Sequence, residues 1–172
     1  MSTRSTDNTQ QRFVQVIEEH RGLIYKVAHA YCYDGVERED LVQEIILQLW
    51  KGYGRYDSTY KLTTWMYRIA LNVAITHYRK HEVRTRHRVT GGEDQWVHVG
   101  AEEPAETDER VLMLRVFVQQ LRKLDKSLML LYLDEKSHGE IAEILDISVS
   151  NVGTRISRLK KQLKTYFNKI QP

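Results

Sequence analysis

The side chains best suited to chemistry lie near the end of the chain. No Asp or Glu occurs from Ser148 to Pro172. Wound as a helix, this stretch places Val149, Val152, Ile156, Leu159 and Leu163 in one apolar stripe. Ser150, Asn151, Thr154, Arg155, Ser157, Arg158 and Lys161 fall on the opposite side. Hydroxyls, an amide and cations in that mixture do recognition chemistry. A solvated basic face on an ordinary helical hairpin is the bland alternative. A second cluster, Gly52 to Lys61, reads G-Y-G-R-Y-D-S-T-Y-K, with three tyrosines and two cations. It suits stacking on unpaired bases beside a phosphate contact. It equally suits a loop whose tyrosines cap a small core. His77 and His81 have the spacing of two metal ligands on one helical turn. Arg79 and Lys80 crowd them with positive charge and no carboxylate or cysteine joins them, so neither a metal nor another cofactor is expected. No phosphate-cradling glycine loop or nucleophile motif is present, and a binding protein is expected, not an enzyme.

These side chains need elements to hold them. Ser137 and Glu140 have the S-x-x-E spacing of a capping box at a helix start. Ile141, Ala142 and Leu145 follow on one face. Asp146-Ile147 breaks the pattern and Ser148 can cap the next helix. A short capped helix, a tight turn and a second helix with small polar residues first and cations after describe a helix-turn-helix, whose second helix enters the major groove N-terminus first. Asp146 stands at the turn position often held by Gly. Asp tolerates the left-handed conformation better than most residues.

The chain has 172 residues and a formal charge of +3, so nucleic-acid binding must come from local clustering of charge. Cys32 is the single cysteine, which excludes an internal disulfide and suits a reducing cytoplasm. It sits in an apolar helical stretch and reads as packing. No apolar run approaches a membrane span and the N-terminus is unlike a signal peptide. Helical spacing without strand alternation predicts an all-α protein: two small helical domains joined by a flexible linker, the C-terminal one containing the helix-turn-helix.

In chain order, disorder is expected to about Thr9. A helix is expected from Gln10 to Tyr33 on Phe13, Val16, Ile17, Leu23, Ile24, Val27 and Tyr31, ended by Asp34-Gly35. The next is expected from Arg38 to Lys51, with Val42, Ile45, Ile46 and Leu49 inward. Asp40, Gln43, Glu44, Leu47 and Gln48 form its second face, either solvated or a docking surface. A regular helix over Leu62 to His81 turns Leu62, Trp65, Met66, Ile69, Ala70 and Val73 inward, and Thr64, Arg68, Asn72, Thr76 and Arg79 onto a polar, cationic face. From Glu82 to Glu106 periodicity is lost, charge reverses from basic to acidic, and Gly and Pro appear, which predicts a linker containing Trp96. The expected domains are therefore 10–81 and 107–168, with 82–106 between them. In the second, Val111, Leu114, Phe117, Val118, Leu121 and Leu124 share a face, and Leu128 to Leu133 form a short apolar helix.

The runs D-L-V-Q-E-I-I-L-Q-L-W, T-T-W-M-Y-R-I-A-L-N-V-A and S-H-G-E-I-A-E-I-L-D-I-S-V-S-N-V-G-T-R-I-S-R-L-K-K together resemble a bacterial RNA polymerase sigma factor. The resemblance is to the extracytoplasmic-function (ECF) class, which keeps only sigma regions 2 and 4, and it spans about Phe13 to Leu163. It implies that Asp40, Gln43, Glu44, Leu47 and Trp50 dock on the clamp helices of core polymerase. It implies that Tyr56, Ser58, Tyr60 and Lys61 form a pocket for an extruded base of the −10 element, with Arg68, Asn72 and Arg79 along the non-template strand. At the −35 element, Thr154, Ser157 and Arg158 would face bases, while Ser150, Asn151, Arg155 and Lys161 would contact phosphates, with Ser148 at the helix start. Gly153 stands where relatives often carry a base-reading side chain. The acidic run from Glu93 to Glu109 would thread toward the polymerase active site, mimicking nucleic acid. A negative regulator, an anti-sigma factor, is also implied. The competing reading is a conventional helix-turn-helix regulator with an N-terminal sensing or dimerisation domain. A helical adaptor that binds only protein would leave the acid-free helix without a purpose.

Overall fold

The computed structural model describes the backbone of residues 3–88 and 108–170, and side chains of residues 8–80 and 108–170. Eight helices occur among them: α1 Thr3–Glu19, α2 Arg21–Tyr31, α3 Gly35–Tyr53, α4 Leu62–Arg88, α5 Glu109–Gln120, α6 Lys123–Leu133, α7 His138–Leu145 and α8 Val149–Ile170. The chain divides into two compact units, Met1–Asp94 and Gln95–Pro172.

In the first unit, α3 and α4 pack on each other and on α2. The reason is in the spacing. Ile24 and Val27 of α2, Leu41, Ile45 and Leu49 of α3, and Met66, Ala70 and Ala74 of α4 recur at steps of three and four, and all are buried. α1 joins through Phe13, whose ring lies 5.0 Å from Trp50 and 5.2 Å from Tyr53. In the second unit α5, α6 and α7 surround α8. Leu128 and Leu131, Ile141, and Val152, Ile156 and Leu159 form its core. Phe117 of α5 meets Tyr166 near the end of α8 at 5.5 Å.

The helices depart from the sequence expectation at several places. Helix begins at Thr3, ahead of the expected start near Gln10. The single N-terminal helix is two, broken at His20, with Gly22, a weak helix former, just beyond. Its apolar face continues across the break and hides it. Asp34 does not end a helix but starts one, its Oδ1 accepting from the amides of Val36 at 2.9 Å and Glu37 at 3.1 Å. α3 runs on through Gly52, which was expected in the loop. A Cβ there would sit 3.1 Å from the Trp65 ring, so glycine allows α3 and α4 to approach. α4 continues to Arg88, past the expected end at His81. The expected linker from residue 89, with Trp96, lies outside the described residues. Thr64 is buried, not on the polar face. Val149 and Val111 are exposed, because each lies in the first turn of its helix, ahead of the packed stripe. Ile144 and Met113 are buried although the expected stripes omitted them, and Leu145 and Leu114 are half-buried.

Candidate nucleic-acid interface

The helix-turn-helix is built by local hydrogen bonding. Glu140 N donates to Ser137 Oγ at 3.2 Å and Ser137 N donates to Glu140 Oε2 at 2.9 Å, closing the capping box on α7. Asp146 ends α7 in the left-handed conformation, φ 54° and ψ 49°. Its amide and that of Ile147 both bond to Ala142 O. Ser148 then caps α8, its Oγ accepting from Asn151 N at 3.1 Å. Three residues thus turn the chain and aim α8. Val152, Ile156 and Leu159 are buried on its inner side, and Ser150, Asn151, Thr154, Ser157, Arg158 and Lys161 are exposed on the other.

Within that face the two arginines differ. Arg155 donates from Nε to Asn151 Oδ1 at 3.0 Å and from a terminal nitrogen to Asp125 Oδ1 at 2.9 Å. Arg158 is more open, its side chain 58% exposed, with a terminal nitrogen 3.9 Å from the same Asp125 oxygen. The sequence reading missed Asp125. It lies in the first turn of α6, where the helix dipole favours a carboxylate, and no local pattern links it to α8. Gly153 is half-buried, and a Cβ on it would meet the His138 ring at 3.7 Å, an ordinary contact.

In the first unit the loop between α3 and α4 divides its tyrosines. Tyr53, in the last turn of α3, packs on Phe13. The Tyr56 ring is half-buried, 5.0 Å from Trp65, and its hydroxyl donates to Tyr60 O at 2.6 Å. Tyr60 is exposed, as are Ser58 and Lys61. The loop is pinned by Asp57, which accepts from Thr59 N at 2.9 Å and Thr59 Oγ1 at 2.6 Å. Those bonds, the hydroxyl's first, hold the Asp57 carboxyl below its ordinary range. Two tyrosines therefore cap the core, and Tyr60 is exposed.

Arg68, Asn72 and Arg79 are exposed along α4. An open groove of about 740 Å³ runs along the surface where α3 meets α4, lined by Asp40, Glu44 and Gln48 on one wall and Asn72, Thr76 and Lys80 on the other. Glu44 is half-buried and accepts from Gln48 Nε2 at 2.7 Å. Asp40 and Gln43 are exposed, and Leu47 and Trp50 remain 44% and 39% exposed. The acidic face of α3 and the polar face of α4 thus border one channel. His77 lies with its Nδ1 3.8 Å from the buried Cys32 Sγ. The side chain of His81 lies outside the described residues, and no group of three metal-ligating side chains occurs among them.

Residues 16–84 match Sigma-70 region 2 and residues 111–163 match Sigma-70 region 4. The chain is 32% identical over 169 residues to the ECF RNA polymerase sigma factor SigW of Bacillus subtilis, covering 90% of each. It belongs to the ECF class of RNA polymerase sigma factors. This sigma factor is also 27% identical to the RNA polymerase sigma-H factor of Pseudomonas aeruginosa, over 83% of its own length and 77% of that relative. Its fold is that of the sigma factor RpoE from Bartonella quintana, solved with the anti-sigma factor NepR, at a TM-score of 0.75, 18% identity and coverage of 94% and 99%. CnrH, solved with the cytosolic domain of CnrY, gives a TM-score of 0.67 at 18% identity, covering 93% and 90%. A match across both units favours a sigma factor over a conventional helix-turn-helix regulator. The protein is accordingly a transcription initiation factor and not an enzyme.

Proposed function

We propose that this ECF sigma factor reads the −35 element with α8, engages the −10 element with the 54–61 loop and α4, and docks core polymerase on α3. The observation that carries the reading is the acid-free outer face of α8, presented by a capped turn whose inner stripe is buried. Thr154, Ser157 and Arg158 face the bases. Ser150, Asn151 and Lys161 contact the backbone, with Ser148 capping the start of α8. At the −10 element, Tyr60 stacks on an extruded base while Tyr56 supports it from Trp65, and Ser58 and Lys61 close the pocket. Unstacking a base costs a few kcal/mol, an amount that stacking of roughly 1–3 kcal/mol plus cationic contacts from Arg68 and Arg79 can offset. Asn72 faces the strand from the groove wall. Asp40, Gln43, Glu44, Leu47 and Trp50 form the polymerase-docking surface, an acidic rim around two exposed apolar side chains.

The units built of α1–α4 and of α5–α8 act as the two promoter-binding domains. RpoE of Bartonella quintana was solved with an anti-sigma factor, and a comparable protein inhibitor of this chain would cover the docking surface on α3. Among the described residues no helix is long and apolar enough to cross a membrane. Action on chromosomal promoters places the protein in the cytoplasm. The test is selection by the reconstituted holoenzyme from a promoter library randomised at both positions. Two sequence blocks at fixed separation are expected. Enrichment of a single block would refute the division of labour between the two units.

A further inference from the structure

The anion Asp125 sits among the cations of a surface assigned to DNA. A carboxylate there repels phosphate, so its placement calls for a use. Its side chain is 16% exposed and that of its partner Arg155 is 31% exposed. The pair spans thirty residues, joining the first turn of α6 to the middle of α8. Arg155 is held on two sides: Asp125 takes one terminal nitrogen and Asn151 takes Nε. A guanidinium has five N–H donors in a rigid fork, and fixing two of them along different edges sets its plane. Arg158 meets the same carboxylate only at 3.9 Å and keeps its fork open.

We propose that Asp125 is a positioning and specificity-determining residue, which holds Arg155 as a strut between α6 and α8 and so withholds it from DNA phosphates. The inference rests on the assignment of α8 to the −35 element. It reassigns Arg155 from phosphate ligand to scaffold and leaves Arg158 as the guanidinium available to bases. Each phosphate neutralised by a cation adds about 0.9 to the slope of log affinity against log salt, and this contribution is blind to sequence. An Arg155 freed from Asp125 would therefore strengthen binding to every duplex and dilute discrimination.

The experiment uses holoenzyme reconstituted with core polymerase. Its affinity is measured across a salt series for a promoter duplex selected from a randomised −35 library and for the same duplex with that element scrambled. R155M, which keeps an apolar stem, should leave the salt slope unchanged; a slope shallower by about one would make Arg155 a phosphate ligand and overturn the proposal. D125N should steepen the slope by about one and raise affinity for the scrambled duplex a few-fold, so the specificity ratio falls by that factor. In the R155M background D125N should do neither. An equal effect there would mean that Asp125 acts only as a repelling charge, which also overturns the proposal. D125E should restore the wild-type slope, which lost packing alone would not predict. If wild-type holoenzyme fails to distinguish the two duplexes, the −35 assignment falls and the inference with it. If discrimination is intact and neither variant moves the slope, only the role of Asp125 is lost.

Discussion

Arg158→Ala separates base reading from packing on α8. The side chain is 58% exposed and its nearest carboxylate oxygen is 3.9 Å away. An exposed pair of that length contributes roughly 0–1 kcal/mol to folding, and surface substitutions of this kind stay within about 0.5 kcal/mol. The variant should therefore melt within about 2–3 °C of the wild type. At the promoter the cost is larger, because a guanidinium bidentate on a guanine supplies about 1–3 kcal/mol of discrimination. At about 1.4 kcal/mol per tenfold, the loss is about 5- to 150-fold on the selected −35 element. The assay is competition binding by holoenzyme, titrating the selected duplex against one scrambled at −35. The specificity ratio should collapse by the same factor while affinity for the scrambled duplex changes far less. Equal weakening on both duplexes would refute base reading by Arg158. A fall in melting temperature of several degrees would show that the residue belongs to the scaffold.

Four further outcomes are expected. Lys161→Ala should make the salt slope shallower by about one and leave sequence preference intact; an unchanged slope would remove Lys161 from the phosphate contacts. Glu44→Lys should abolish co-purification with core polymerase while the melting curve stays near wild type, and retained binding would place the docking surface elsewhere. Asp146→Val puts a β-branched residue at φ 54° and should destabilise the second unit by about 1–2 kcal/mol in thermal unfolding, whereas Asp146→Gly should not. Because the Asp57 carboxyl is held down by Thr59, the loop order it contributes is fully present above the ordinary aspartate value of about 3.9. That order is lost as pH falls through the lower folded value, so the Thr59 amide resonance should titrate below about pH 3.9. A midpoint at or above it would contradict the hydrogen-bonded loop.

The helix-turn-helix was legible because its determinants are local. Ser137 with Glu140, Asp146 at the turn and Ser148 before α8 each act within three or four residues of chain. The all-α architecture followed from period alone; the expected stripes caught Val42, Ile45 and Leu49 of α3 and Met66 and Ala70 of α4 but omitted the buried Leu41, Tyr67, Leu71 and Ala74. What escaped depended on distant partners. Asp125 meets Arg155 across thirty residues, and sequence spacing cannot show that one cation of a basic face is already held. The tyrosines of the loop were ambiguous because their fates are set by Phe13 and Trp65, on α1 and α4. The break at His20 was masked by an apolar face that runs through it. Thr64 falls in a polar row by sequence, but tertiary packing buries it.

The central claim is that this chain brings core RNA polymerase to particular promoters. The most direct measurement is a pull-down with purified bacterial core polymerase, followed by run-off transcription from the selected promoter and from one scrambled at −35. Stable co-purification and a discrete transcript from the selected template alone are predicted. Tight binding to duplex DNA without capture of polymerase, or transcripts indifferent to the scrambled element, would contradict the account.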